Sequence, residues 1–311
     1  MKIIALDAEA VSFDGLSWDS FNSLGDFTSY LGSTKEEGFE RSKDANAVIV
    51  NKYIIDSEFL DKAPNIKYVG VSATGVNNVD LEACKKKGVV VTNVPAYSSL
   101  SVAQLVFTYI TYHYTRLRDY MDLSKNWSSS KKFSLPLANH QELSALKICI
   151  VGLGEIGKKV EQIAKAFEME VLVPALPKRN YKESRPSLEQ CLKSADIVTL
   201  HCPLNENTKE LINKDTLSLM KKDSILVNTG RGPLINEQDL ADTLDQNLIA
   251  AAYLDVLAIE PPVENNPLFN KAVITPHIAW TSVQSRTRLL KEAELNLEAF
   301  IQNRQRNVVL L

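Results

Sequence analysis

Short apolar runs alternate with helix-period stretches along most of the chain. Residues 2–6, 47–50, 68–72 and 89–92 are compact and apolar, the pattern of buried strands. Between the last two, residues 78–87 read as a helix: Asp80 and Glu82 sit near its start, Lys85–Lys87 at its end, and Gly88 follows. Such alternation predicts a parallel sheet with helices on both faces. Asn93-Val94-Pro95 ends the fourth run and marks a crossing into a second domain. A long helix over 98–118 follows, opened by serines and apolar around much of its circumference, as suits packing between domains or subunits. Residues 124–137 are polar and poorly periodic. Six further strands, at 147–151, 171–173, 197–200, 225–228, 249–254 and 273–275, with helical patterns at 187–194 and 236–246, match the content of a complete doubly wound domain. Residues 281–303 form a last amphipathic helix that can return to the first domain.

A chain of 311 residues with 45% hydrophobic content has room for two cores. Its net charge of −3 gives no support for nucleic acid or an anionic membrane as partner. The four cysteines, Cys84, Cys149, Cys191 and Cys202, have no metal-like spacing and suit free thiols in a reducing compartment. The first residues lack the apolar stretch of a secretory signal, and no run approaches 18 apolar residues, so a cytoplasmic protein is expected.

The chemistry centres on residues 146–157. A strand runs straight into Gly152-Leu153-Gly154-Glu155-Ile156-Gly157, and a helix pattern over 158–167 follows. In that context GxGxxG marks a dinucleotide site. Gly152 permits the turn, Gly154 admits a pyrophosphate, Gly157 lets helix and strand approach, and the helix amides attract phosphate. A glycine-rich turn with no ligand is the blander alternative. Three polar residues follow later strands: Arg231 in Asn228-Thr229-Gly230-Arg231-Gly232, Glu260 five residues after Asp255, and His277 after Thr275-Pro276. All stand at carboxyl ends, where open α/β sheets hold ligands. An arginine fork can grip a carboxylate. A glutamate beside a histidine fixes the ring and favours its charged form, as general acid–base work requires. Taken singly, each also fits an ion pair, a turn or a cap. Thr74-Gly75 leaves the end of another strand, where backbone amides can meet a carboxylate or merely make a tight connection. His113, His140 and His201 carry weaker signals.

These motifs resemble the D-isomer-specific 2-hydroxyacid dehydrogenases. The resemblance rests on GLGEIG, HCPL with Asn207-Thr208 after it, NTGRG, LDVLAIEPP and TPHIAW, in one order and over nearly the whole chain. VSATGVNNVDLEACKKKG, TNVPAYSSLSVAQ and the tryptophan of HIAW look most like the glycerate dehydrogenase (hydroxypyruvate reductase) branch. The resemblance implies two doubly wound domains, a Rossmann-type NAD(P)-binding domain (98–283) inserted in a flavodoxin-like substrate domain (1–97 and 284–311), paired as a homodimer. It implies hydride transfer between NAD(H) and a small D-2-hydroxy acid or 2-keto acid, D-glycerate/hydroxypyruvate first and glyoxylate next. His277 would be the acid–base, Glu260 its support, and Arg231 the carboxylate clamp. Thr74, Gly75 and Trp280 would complete the substrate contacts. Gly152, Gly154, Glu155, Ile156, Gly157, Cys202, Pro203, Thr208, Thr229, Gly230, Arg231, Asp255 and His277 would line the cofactor, with no metal.

One position departs from the NAD pattern. The end of the second nucleotide strand carries Ala175 where an acidic residue usually meets the ribose, and Lys178 and Arg179 follow. NADP(H) is therefore also expected as cofactor. The rival substrates are D-3-phosphoglycerate and bulkier acids, against which stand the absence of a phosphate cluster beside Thr74 and of a regulatory extension after residue 311. A rival of another class is an NAD(H)-sensing, corepressor-like binding protein.

Overall fold

The computed structural model describes residues 1–138 and 140–309. The chain divides into two compact units, Met1–Ser98 with the chain from Thr281 onward, and Ser99–Trp280. Residues 310 and 311, the end of the expected substrate domain, lie outside the described residues.

The first unit is built on five parallel strands, Lys2–Ala5 (β1), Asp26–Ser29 (β2), Ala47–Val50 (β3), Tyr68–Val71 (β4) and Val90–Thr92 (β5), in the order β2-β1-β3-β4-β5. That is a doubly wound order of the flavodoxin type. Its helices are Glu9–Ser12 (α1), Lys35–Ser42 (α2), Ser57–Lys62 (α3) and Leu81–Lys86 (α4), with the chain's last helix, Val283–Ile301, returning to it. β3 and β4 are buried at every residue, which is why they read so plainly as apolar runs. β2 gave no such signal. It is an edge strand whose only partly buried residue is Phe27, and its ladder to β1 defines it rather than its side chains.

The second unit carries six parallel strands, Lys147–Val151 (β6), Glu170–Leu172 (β7), Ile197–Leu200 (β8), Ile225–Asn228 (β9), Ala251–Leu254 (β10) and Val273–Ile274 (β11), in the order β11-β10-β9-β8-β6-β7. The order reverses between β6 and β8, so a crevice opens beyond their carboxyl ends. Alternate strand residues feed two cores. Ile148, Ile150, Ile225, Val227 and Tyr253 lie in one, and Cys149, Val151, Leu226, Ala252 and Leu254 in the other. The helices are Ser99–Tyr114 (α5), Leu117–Ser124 (α6), Glu155–Ala166 (α7), Leu188–Ser194 (α8), Lys214–Leu217 (α9) and Glu237–Asp245 (α10); the last helix of the chain is α11.

The long helix expected over 98–118 is broken. Arg116 adopts a left-handed backbone at φ +53°, so α5 ends at Tyr114 and α6 starts afresh. Thr108, Thr111 and Thr115 each return a hydroxyl to the carbonyl four residues back, a habit that loosens helices. The Arg116 guanidinium then holds the Ala138 carbonyl and Asp119, which fixes the bend.

Candidate active site

The glycine turn after β6 has the geometry that its sequence predicts. Gly152 stands at φ +105°, and a β-carbon there would lie 2.6 Å from the Cys202 amide nitrogen. A β-carbon at Gly157 would meet the Gly152 carbonyl oxygen at 2.1 Å, so α7 packs directly on the turn. Gly154 differs, since the space beside it is open. It is the N-cap of α7 and offers no side-chain cap, so the amides that begin the helix face that space with the positive end of the dipole. Across the crevice Thr229 is buried, and its hydroxyl has no partner. An uncapped helix start, room at Gly154 and an orphaned buried hydroxyl fit a dinucleotide whose phosphates and ribose supply the missing partners.

The other residues expected along the cofactor are placed as follows. Glu155 and Ile156 form the first turn of α7. Cys202 is buried, and burial pushes its thiol up to about 11, so it is an inert neutral group. The Thr208 hydroxyl donates to the Pro203 carbonyl at 2.6 Å and accepts the Asn205 amide at 2.9 Å, which shapes the 203–208 loop. After β7 the Ala175 amide donates to the Pro186 carbonyl at 2.9 Å, and Val173-Pro174-Ala175 offers no carboxylate. In the loop beyond, Arg179 and Arg185 lie 5.7 and 4.2 Å from the Tyr181 ring centre, and the Tyr181 hydroxyl accepts the Leu176 amide.

Arg231, Glu260 and His277 sit on loops following β9, β10 and β11. Asn228, at the end of β9, shapes the first loop: its side-chain oxygen accepts the Gly230 amide at 3.0 Å, and its nitrogen donates to the Arg231 carbonyl at 2.9 Å. The arginine itself is exposed. Gly232 locks this loop to the next, since a β-carbon there would lie 1.9 Å from the Leu257 carbonyl carbon. Glu260 accepts the Leu257 amide on one oxygen at 3.0 Å and meets His277 Nδ1 with the other at 2.7 Å. With Nδ1 so engaged, Nε2 is the ring nitrogen left to exchange a proton with a reactant. His277 is itself in the left-handed region at φ +54°, a conformation that persists only where its surroundings determine it.

Those surroundings combine Asp255, expected along the cofactor, with Thr275 and Glu237, which sequence reasoning passed over. The Asp255 carboxylate takes the Ile278 and Ala279 amides, each at 2.8 Å, and the Thr275 hydroxyl at 2.5 Å. Burial raises its proton affinity above that of an ordinary aspartate, while these donors act the other way. Glu237, in the first turn of α10, accepts the Ala258 amide at 2.7 Å and the Asn266 side chain at 2.9 Å, which holds the Glu260 loop from outside. Trp280 ends this unit, half-buried. Thr74 and Gly75 belong to the first unit, where the Thr74 hydroxyl donates to the Val94 carbonyl at 2.9 Å.

Among the described residues no helix is long and apolar enough to cross a membrane, and no group of His, Cys, Asp and Glu is arranged to hold a metal. The family described as D-isomer specific 2-hydroxyacid dehydrogenase, NAD binding domain, matches residues 109–279. A putative 2-hydroxyacid dehydrogenase of Haemophilus influenzae is 39% identical over 97% of this chain and 98% of its own length. A hydroxypyruvate reductase of Blautia hydrogenotrophica is 37% identical over 99% of both chains. Among solved structures, an acyclic imino acid reductase in complex with NADPH and D-Arg has a TM-score of 0.84 at 31% identity, over the full length of both chains.

Proposed function

The chain belongs to the D-isomer specific 2-hydroxyacid dehydrogenases, and from that premise we propose that it interconverts D-glycerate and hydroxypyruvate, with glyoxylate as a second substrate. The observation that carries the reading is the 2.7 Å contact of Glu260 with His277 Nδ1, with the exposed Arg231 on the loop after the neighbouring strand β9. The bound nicotinamide supplies the hydride in reduction and accepts it in oxidation. His277 gives the proton from Nε2 to the 2-keto oxygen, and in oxidation takes it back from the hydroxyl. Glu260 keeps the ring oriented. Arg231 grips the substrate carboxylate and polarises the carbonyl beside it. Trp280 walls the pocket, and Thr74 and Gly75 keep the carboxylate contact that the family pattern implies. Gly152, Gly154, Glu155, Ile156 and Gly157 would hold the pyrophosphate, with Thr229, Gly230, Cys202, Pro203, Thr208 and Asp255 along the rest of the cofactor.

NADPH is proposed as an accepted cofactor beside NADH. Support comes from Ala175, which leaves no acidic residue to repel a 2′-phosphate, and from Lys178 and Arg179 close by. The protein is further proposed to be cytoplasmic, consistent with its four free, buried cysteines, and to pair with a second copy. Leu117, Met121, Trp127 and Phe133 are exposed apolar side chains that such a copy would cover. Sedimentation at equilibrium tests the pairing.

The deciding experiment follows reduced-nicotinamide absorbance with hydroxypyruvate, glyoxylate, pyruvate and 3-phosphohydroxypyruvate, each against NADH and NADPH. Fastest turnover with hydroxypyruvate is expected. A preference for the phosphorylated acid would overturn the substrate assignment. A strong NADH preference that survives removal of Lys178 and Arg179 would overturn the cofactor assignment.

A further inference from the structure

The left-handed backbone of His277 has a specific support that reaches into α5. The His277 amide donates to the Asp255 and Thr275 carbonyls, each at 2.9 Å. The next two amides, Ile278 and Ala279, go to the two oxygens of the Asp255 side chain, which is 1% exposed. That carboxylate also receives the Thr275 hydroxyl at 2.5 Å. A hydroxyl has one proton, and an ionised carboxylate can only accept. With its proton directed to Asp255, Thr275 can only accept from the Tyr109 hydroxyl, 2.5 Å away. The direction of the line is thereby fixed: Tyr109 to Thr275 to Asp255 to the amides of the histidine loop. Tyr109 is buried on α5, its ring 5.3 Å from that of Tyr253 on β10, and burial pushes its hydroxyl up to about 12, so it stays a donor. The line thus ties a helix to the loops that follow β10 and β11, within one unit.

We propose that Tyr109 and Thr275 are positioning residues for the acid–base step, acting through Asp255 to hold the left-handed turn that aims His277. Neither touches a reactant. The proposal rests on the reading of His277 as the acid–base group. Removing a donor from the buried carboxylate loosens its grip on the Ile278 and Ala279 amides, and the turn relaxes toward ordinary backbone. The imidazole then presents Nε2 off line, a small displacement with a large effect on proton transfer.

The test compares Thr275→Val, Thr275→Ser, Tyr109→Phe and His277→Ala with the unmodified enzyme, using hydroxypyruvate and saturating reduced cofactor. Thr275→Val removes the hydroxyl with little change of shape, and is expected to lower kcat about tenfold to a hundredfold. KM for the acid should stay near its original value, since Arg231 is untouched. Thr275→Ser restores the hydroxyl and most of kcat, and Tyr109→Phe gives a smaller loss of the same kind. Amide hydrogen exchange, read without any substrate, should quicken in the 277–280 segment of Thr275→Val and not in α10. Unchanged kcat in Thr275→Val overturns the proposal, as does equal impairment of the valine and serine variants. If the unmodified enzyme turns over no acid, or His277→Ala turns over normally, the reading of the site has failed instead. The exchange rates then judge the positioning line alone, with unaltered exchange at 277–280 overturning it.

Discussion

Arg286 and His277 each meet a carboxylate, and they do so in opposite ways. The Arg286 side chain is 2% exposed and places its fork on both oxygens of Asp14, at 2.6 and 2.5 Å. Its remaining donors reach the Val11 and Thr281 carbonyls, and the Phe13 ring lies 4.3 Å from the guanidinium carbon. His277 and Glu260 are 32% and 36% exposed and share one contact, and His277 stands in the left-handed region. In the first pair Asp14 is 40% exposed but the guanidinium is enclosed and engaged on every nitrogen, so it holds α11 to the segment beyond α1. The second keeps one ring nitrogen uncommitted. In this protein a closed ion pair marks architecture and an open one marks chemistry.

The largest expected effect comes from the open pair. His277→Ala should lower turnover with hydroxypyruvate about a hundred- to ten-thousandfold, the usual worth of a general acid–base. Calorimetric titration should show reduced cofactor still bound, and the melting temperature should hardly move. The closed pair should behave in reverse. Arg286→Met leaves the Val11 and Thr281 carbonyls without their donor and should lower stability by about 2–3 kcal/mol in urea titrations. A loss confined to turnover would break the contrast.

His201 sharpens it from a third side, as an imidazole with no carboxylate against it. One ring nitrogen meets the Thr199 hydroxyl at 2.8 Å, and the other is sealed from water without a partner. Burial lowers its pKa to about 3, so the folded protein keeps it neutral while the unfolded chain protonates it near 6.5. Protons therefore favour the unfolded state: stability falls as pH drops below about 6.5 and goes on falling toward the folded value. At pH 5 the penalty is roughly 2 kcal/mol. Urea titrations at pH 7 and pH 5 should show a smaller difference in His201→Gln than in the unmodified protein. An equal difference in the two would mean that the ring is not held neutral by the fold.

Most of the architecture was legible because it is written in short-range signals. Buried parallel strands are apolar at every position, the Gly152 turn lies between one such strand and a helix, and Arg231, Glu260 and His277 each follow a run of that kind. What escaped depends on partners far along the chain. Thr275 looked like the end of a strand and Tyr109 like an apolar member of a helix; their bond joins residues 166 positions apart. Glu237 lies in the helical pattern over 236–246, and only the fold brings it to Ala258 and Asn266. β2 lacked a buried face, and the break after α5 arises from threonines whose side chains compete with the backbone, which apolar periodicity does not register.

The absent side chain at Gly232 bears on how such a site can be redesigned. Two loops touch there backbone to backbone, so the arginine and the glutamate they carry are inherited as one piece. A library randomised at position 232 and selected for any new substrate would return glycine among its survivors, because every other residue drives the loops apart before specificity is tested. Novelty has to enter through outward-facing side chains such as Ile259, which is exposed at the rim of the Glu260 loop. The interlock is thus a constraint on descent as much as on shape: the decoration can drift while the joint stays.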